Sequence, residues 1–277
     1  MAVDARALLP RLTARGALRV PEITVYFWVI KAMSTAMGEA TSDFLVHRLH
    51  PVPAVMLGFV GFVVALSLQF SMRRYMAWTY WLAVVGVGVF GTMAADVLHV
   101  GFGVPYIVSS ILYGAVLVAV FVTWQRTEKT LSIHSIDTPR REAFYWAAVV
   151  ATFAMGTAVG DLTATTFHFG YLDSGLLFAG MLALVALGFW RFRWNPILSF
   201  WCAYVVTRPF GASFADWMGK PKALSGLGWG DGKVALALTF GIFCLVAFLA
   251  ITRADVQGAE RSPAARGKEP QPAVEPE

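Results

Sequence analysis

Seven ionisable side chains lie in stretches of this sequence whose neighbours are almost all apolar. They are the acids Glu39, Asp43, Asp96, Asp161 and Asp216 and the bases Lys31 and Arg208. A charge held inside a bilayer is costly unless it is paired or hydrated. Five acids against two bases leave a surplus of three negative charges. Like charges drawn together cannot all stay ionised, so such a set must hold protons or a cation. Carboxylate oxygens suit hard divalent ions such as Mg²⁺, Mn²⁺ or Ca²⁺. Glu39 and Asp43 are four residues apart and share one helix face. Arg208 is followed by Pro209, which predicts a kink and a freed backbone carbonyl there. His47, His99 and His168 follow Asp43, Asp96 and Asp161 by four, three and seven residues. As candidate accessory metal ligands they would favour Mn²⁺ or Zn²⁺ over Mg²⁺. The competing reading makes them ordinary interface residues.

Four of the acids belong to an internal repeat. Trp28, Trp81, Trp146 and Trp201 each follow another aromatic residue, and each is followed ten positions later by glycine: Gly38, Gly91, Gly156 and Gly211. Five positions further on come Asp43, Asp96, Asp161 and Asp216. Fifteen helical residues advance the chain roughly 22 Å, so each aspartate is expected in the outer half of a membrane when its tryptophan lies at the cytoplasmic interface. The glycines, with a small residue just before each aspartate, suit close helix packing.

The elements that must position these groups follow from composition. The chain has 277 residues, 57% of them hydrophobic and only 14% charged, with a mean hydropathy of +0.62. Those values exclude an ordinary soluble globule and point to an integral membrane protein. The net charge of +5 is expected to come from arginine-rich cytoplasmic loops rather than from a nucleic-acid footprint. Cys202 and Cys244 are too few, and too deep in apolar segments, for a disulfide framework. Eight apolar stretches are long enough to span a bilayer, near 22–45, 54–71, 78–98, 104–124, 143–166, 172–190, 197–218 and 233–252. Residues 1–21 form a basic N-terminal segment without a cleaved signal, and residues 254–277 read as a disordered tail. Arg73, Arg74, Arg126, Lys129, Arg140, Arg141, Arg191 and Arg193 fall on one side of that alternation, which predicts cytoplasmic termini. The expected fold is all-α: eight transmembrane helices in four parallel two-helix repeats, about 22–71, 78–124, 143–190 and 197–252. The odd-numbered helices are central, and the nearly uncharged even ones face lipid.

Four stretches carry a resemblance: Phe27–Lys31, Thr130–Ile136, Arg141–Trp146 and Thr207–Ser213. In them the chain resembles a family of conserved bacterial multi-pass, membrane-anchored inner-membrane proteins of unknown function. The resemblance covers roughly residues 20–253. It implies a bacterial inner-membrane location and brings no substrate. The segment Thr130–Ile136 reads as a lid or docking segment on the cytoplasmic face.

Three functional readings compete. The first is a transporter or exporter of a divalent metal, most plausibly manganese. Asp43, Asp96, Asp161, Asp216 and Glu39 bind the ion, and Lys31 and Arg208 act as tethered counter-charges that it displaces. The second is a proton-coupled transporter of a small organic solute, anchored by Arg208 and needing a cavity beside it. The third is a scaffold or sensor whose acids are all paired, the repeat being architectural. No nucleophile arrangement, phosphate loop or haem-ligand geometry supports an enzyme, and no covalent cofactor is expected. The expected partners are the lipid bilayer and a metal ion or protons; oligomerisation is left open.

Overall fold

The computed structural model describes residues 18–256. Eight long helices, with no strand among the described residues, build the chain: α1 (Val25–Arg48), α2 (Pro51–Ser71), α3 (Ala77–Asp96), α4 (Tyr106–Glu128), α5 (Pro139–Asp161), α6 (Gly170–Phe192), α7 (Pro196–Gly219) and α8 (Asp231–Thr252). Local chemistry sets several starts. Thr24 and Thr138 accept hydrogen bonds from the amides of Phe27 and Arg141, and Asn195 caps both Ile197 and Leu198. Pro139 and Pro196 open α5 and α7, where the missing N–H costs nothing. At the other ends, Lys129, Arg193 and Arg253 close α4, α6 and α8 in the left-handed conformation. A basic residue there also complements the helix dipole. Pro209 lies within α7, which continues past it to Gly219.

Six helices (α2, α3, α4, α5, α6 and α8) are long and apolar enough to cross a membrane. The other two, α1 and α7, have 24 residues each, a length of about 36 Å, and they carry Lys31, Glu39, Asp43, Arg208 and Asp216. The charges that make them interesting are what lowers their hydropathy.

Helices α1, α3, α5 and α7 touch in that order, and α7 closes back on α1. The repeat glycines lie at these junctions. A side chain on Gly38 would meet the backbone of Gly88 in α3 at 2.7 Å. One on Gly91 would meet Phe153 of α5, one on Gly156 would meet Arg208 and Pro209 of α7, and one on Gly211 would meet Thr35 of α1. Each repeat glycine therefore faces the next odd helix and lets the backbones approach. The even helices lie outside this ring and expose many large apolar side chains, such as Val60, Leu112, Leu184 and Phe240. They do not pack chiefly as sequence hairpins. α2 packs mainly on α3, α4 on α5, α6 on α7 and α8 on α1. A short loop ties α1 to α2, but the larger shared face is with the helix that follows.

At the N-terminal end of the ring the aromatic pairs interlock. Phe27 meets Trp81 and Phe200, Tyr80 meets Trp146, and Tyr145 meets Trp201, with ring centroids 5.6–6.1 Å apart. Trp81, Trp146 and Trp201 are buried, and only Trp28 is half-buried. The interfacial role expected for them gives way to core packing, because the pairs face neighbouring odd helices rather than the outside. The same end is closed by the chain's loops. Arg19 donates to the fully buried Glu142 at 2.6 Å, and Gln69 donates to Glu142 at 2.9 Å. Ile133 and Ile136 of the expected lid are buried, and Trp201 Nε1 donates to the Leu131 carbonyl at 2.9 Å. Residues 18–22 and 254–256 also pack here. The Glu22 amide donates to the Asp255 carbonyl, Tyr75 hydroxyl donates to the Asp255 carboxylate, and Asp255 is buried. Residues 254–256, assigned to the tail from sequence, are thus packed against this end; the expectations for residues 1–17 and 257–277 lie outside the described residues.

Candidate functional site

The centre of the site is Arg208, wholly buried in α7. Its Nη2 donates to Glu39 Oε2 of α1 at 2.6 Å, to the Thr92 hydroxyl of α3, and to the Thr157 hydroxyl of α5 at 2.6 Å. Its Nη1 reaches the Thr35 carbonyl at 3.3 Å. One guanidinium therefore binds all three other helices of the ring. Glu39, Thr92 and Thr157 are each the residue directly after a repeat glycine. That register had a sequence signal: the position after Gly38, Gly91 and Gly156 is polar, while its fourth copy is the buried Ala212.

One turn further along lie the repeat aspartates. Carboxylate oxygens of Glu39, Asp43 and Asp216 come within 4.8 Å of one another. Lys220, just past the end of α7, reaches into this group. Its Nζ is 2.5 Å from Asp43 and 3.8 Å from Asp216. Burial works against the Lys220 charge, but the Asp43 and Asp216 carboxylates outweigh it and hold the ammonium above the ordinary lysine range. Sequence reasoning missed this cation as a site residue. It stands where repeat one carries His47 and repeats two and three carry Val100 and Thr165, and its i,i+4 spacing from Asp216 was the available clue.

Asp96 and Asp161 are half-buried at the ends of α3 and α5, within electrostatic range of each other and of Glu39 and Asp43. Neither carboxylate makes a hydrogen bond or ion pair among the described residues. Each is followed at once by a π-helical turn, Val97–Gly101 and Leu162–Thr166. Such turns widen a helix locally and recur at functional positions. The expected set of five acids thus resolves into a close group of three and an unpaired couple beside it.

Two further expectations are revised. Lys31 is no counter-charge to the acids: its Nζ lies 4.2 Å from the ring centroids of Phe153 and Tyr204 and has no hydrogen-bond partner. The histidines do not join the acidic group. His47 is exposed and meets the Asp43 carbonyl at 2.7 Å, while His99 meets the Val104 carbonyl at 2.8 Å and stacks on Tyr106. His168 is exposed, with a left-handed backbone. The remaining donors are all oxygens, a set that fits a hard divalent cation without histidine.

No curated protein and no solved structure matches the chain. Four copies of DUF347, a repeat of unknown function, match residues 26–75, 79–130, 144–194 and 199–255. These copies coincide with the four Trp-Gly-Asp units and with the helix pairs that carry them. On four matches covering most of its length, the chain belongs to the DUF347 repeat family.

Proposed function

We propose that the chain is a membrane transporter of a divalent cation that takes oxygen ligands, with Mn²⁺ as the first ion to test. In this reading all eight helices cross a bacterial inner membrane. The four repeats run parallel around an axis along the membrane normal, and both termini are cytoplasmic. The acidic end then faces outward, while the arginine-rich loop end, sealed by Arg19, Glu142 and Ile136, faces the cytoplasm.

One observation carries the reading. Acids from all four repeats and Glu39 gather at one end of the ring; among the described residues Arg208 and Lys220 are the cations paired with them, and the Asp96 and Asp161 carboxylates have no hydrogen bond or ion pair. An architectural role would pair each acid, since an unpaired carboxylate in a membrane lowers stability without return. Lys220 serves as the tethered cation that an arriving ion displaces from Asp43 and Asp216. Asp96 and Asp161 supply the open oxygens that receive the ion first. Displacing Lys220 ties occupancy to the position of the α7–α8 connection, which gives the two-state element transport needs. The organic-solute reading asks for free space beside Arg208, and that guanidinium is enclosed by Glu39, Thr92 and Thr157.

The test is Mn²⁺ uptake into liposomes holding the purified full chain. Wild type is expected to move the ion, and the Asp43→Asn, Asp161→Asn double variant to fold and move none. Undiminished uptake by that double variant would overturn the proposal.

A further inference from the structure

Three segments far apart in the chain meet at the arginine-loop end. The Tyr75 amide donates to the Leu18 carbonyl at 2.9 Å, and the Glu22 amide donates to the Asp255 carbonyl at 2.8 Å. Between the α2–α3 connection and the end of α8 they line a recess of about 570 Å³, a volume in the range of small-molecule sites. Arg74, Trp78, Leu249, Arg253 and Asp255 belong to its walls. Arg74 and Arg253 are exposed and have no ion pair among the described residues. Arg19, Arg140 and Arg141 at the same end are each bound to a carboxylate. The recess thus gathers two guanidiniums that the fold itself does not use.

The acid in these walls does not cancel them. Asp255 is buried, and its Oδ2 accepts from the Tyr75 hydroxyl. Its Oδ1 has no hydrogen-bond partner among the described residues, an acceptor that a ligand hydroxyl can satisfy. Two arginines against one aspartate leave the lining with a positive excess. α3 opens at the same wall with Met76 as its cap and no side-chain cap bond, so its first amides add donors there. Deeper along α3 and α8 the surface is apolar. Trp78 and Phe243 are exposed with ring centroids 5.3 Å apart, and Leu82, one turn on from Trp78, is exposed too. A basic mouth that continues into an exposed apolar strip matches the two ends of a phospholipid.

We infer that this recess binds an anionic phospholipid of the leaflet at the arginine-loop end. The lipid phosphate accepts from Arg74 and Arg253, a headgroup hydroxyl donates to Asp255 Oδ1, and the acyl chains lie on Trp78, Leu82 and Phe243. Phosphatidylglycerol supplies all three parts. Phosphatidylethanolamine has no net charge, and its ammonium weakens the attraction to the arginines. A bound lipid ties the segment before α1, the α2–α3 connection and the end of α8 together, and so stabilises the closed end of the ring. The inference rests on the membrane placement proposed above and not on the cargo.

The experiment is native mass spectrometry of the purified full chain in detergent, titrated with phosphatidylglycerol or phosphatidylethanolamine of the same acyl chains and with no divalent ion. Wild type is expected to hold one phosphatidylglycerol about tenfold more tightly than phosphatidylethanolamine. The Arg74→Gln, Arg253→Gln double variant is expected to bind it about tenfold more weakly. Arg191→Gln with Arg193→Gln removes the same charge at the end of α6, outside the recess, and is expected to stay within about twofold of wild type. Equal affinity for the two lipids, undiminished affinity in the first double variant, or an equal loss in the second would overturn the proposal. Where the first double variant does not fold, Arg74→Gln alone decides, since Arg74 lies in an exposed connection; about a threefold loss is expected, and no loss overturns the site. Thermal unfolding separates the lipid from a free ion: millimolar inorganic phosphate that stabilises wild type as much as phosphatidylglycerol does would overturn the lipid assignment. Because the assay contains no divalent ion, selective lipid binding by a wild type that does not move Mn²⁺ removes the cargo and keeps the lipid site.

Discussion

Repeats one and four hold their acids differently from repeats two and three. In α1 and α7, Asp43 and Asp216 share Lys220, Glu39 binds Arg208, and both helices run on regularly past their aspartates. In α3 and α5, Asp96 and Asp161 have no such partner among the described residues, and a π turn follows each directly. The sequence signature is the same in all four copies, so the difference lies in what the surrounding positions contribute. Both cations come from repeat four, at positions where the other copies carry neutral residues or histidine. The lesson is that a duplicated framework can keep its packing code while one pair of copies becomes the anchor and the other pair stays chemically open.

The largest expected effect tests the anchor. Arg208→Leu leaves Glu39 as a buried, uncompensated charge and is expected to cost about 3–5 kcal/mol. Thermal unfolding in detergent measures it, and adding Glu39→Gln is expected to recover part of the loss. No loss of stability in Arg208→Leu would remove the anchored half from the comparison.

Next comes the contrast between the two kinds of aspartate. Asp43→Asn breaks the pair with Lys220 and is expected to lower stability by about 1–3 kcal/mol. Asp96→Asn removes an unpartnered charge and is expected to stay within about 0.5 kcal/mol of wild type or above it. Both are expected to stop Mn²⁺ uptake. Equal destabilisation would mean that Asp96 has a structural partner after all.

Lys220→Met sharpens the comparison further, because it makes the anchored half resemble the open one. Stability is expected to fall by about 1–3 kcal/mol, while Mn²⁺ binding, read by calorimetry, tightens about tenfold as the tethered competitor is lost. The pH dependence has a definite sign. The folded-state pKa of Lys220 lies above its unfolded value, so its contribution is complete below about pH 10.4 and is lost only as pH rises through the folded value. The gap in melting temperature between wild type and Lys220→Met is therefore expected to stay constant from about pH 6 to pH 9.

The smallest effects concern the ring's neutral members. Thr92→Val and Thr157→Val each remove one donor–acceptor contact with Arg208, for an expected loss of about 1–2 kcal/mol. Replacing His47, His99 and His168 together by alanine is expected to change Mn²⁺ affinity by less than about twofold, since none reaches the acidic group. A larger change would return the histidines to the site.

Much of this architecture was legible in the residue order. The eight apolar stretches lie within a few residues of the observed helices, because side-chain hydropathy and length alone decide which segments can form long apolar helices. The Trp-Gly-Asp spacing located the packing glycines and the acids, since helical rise converts a fixed spacing into a fixed height. Pairing was not legible. That α2 packs on α3 rather than chiefly on α1 depends on the shape of outer faces, and nearly uniform apolar side chains carry little information about it. Lys31 and Arg208 looked alike as intramembrane cations, yet one lies among aromatic rings and the other at the hub of four helices.

Taken alone, the sequence settled composition, periodicity and register, because these are properties of a single helix: its length, its apolar character, and the level at which each glycine and aspartate stands. Only the tertiary structure decided which charges meet. An ion pair depends on distances between helices, and Lys220 with Asp43, or Arg208 with Glu39, are separated by most of the chain and brought together only when the ring closes.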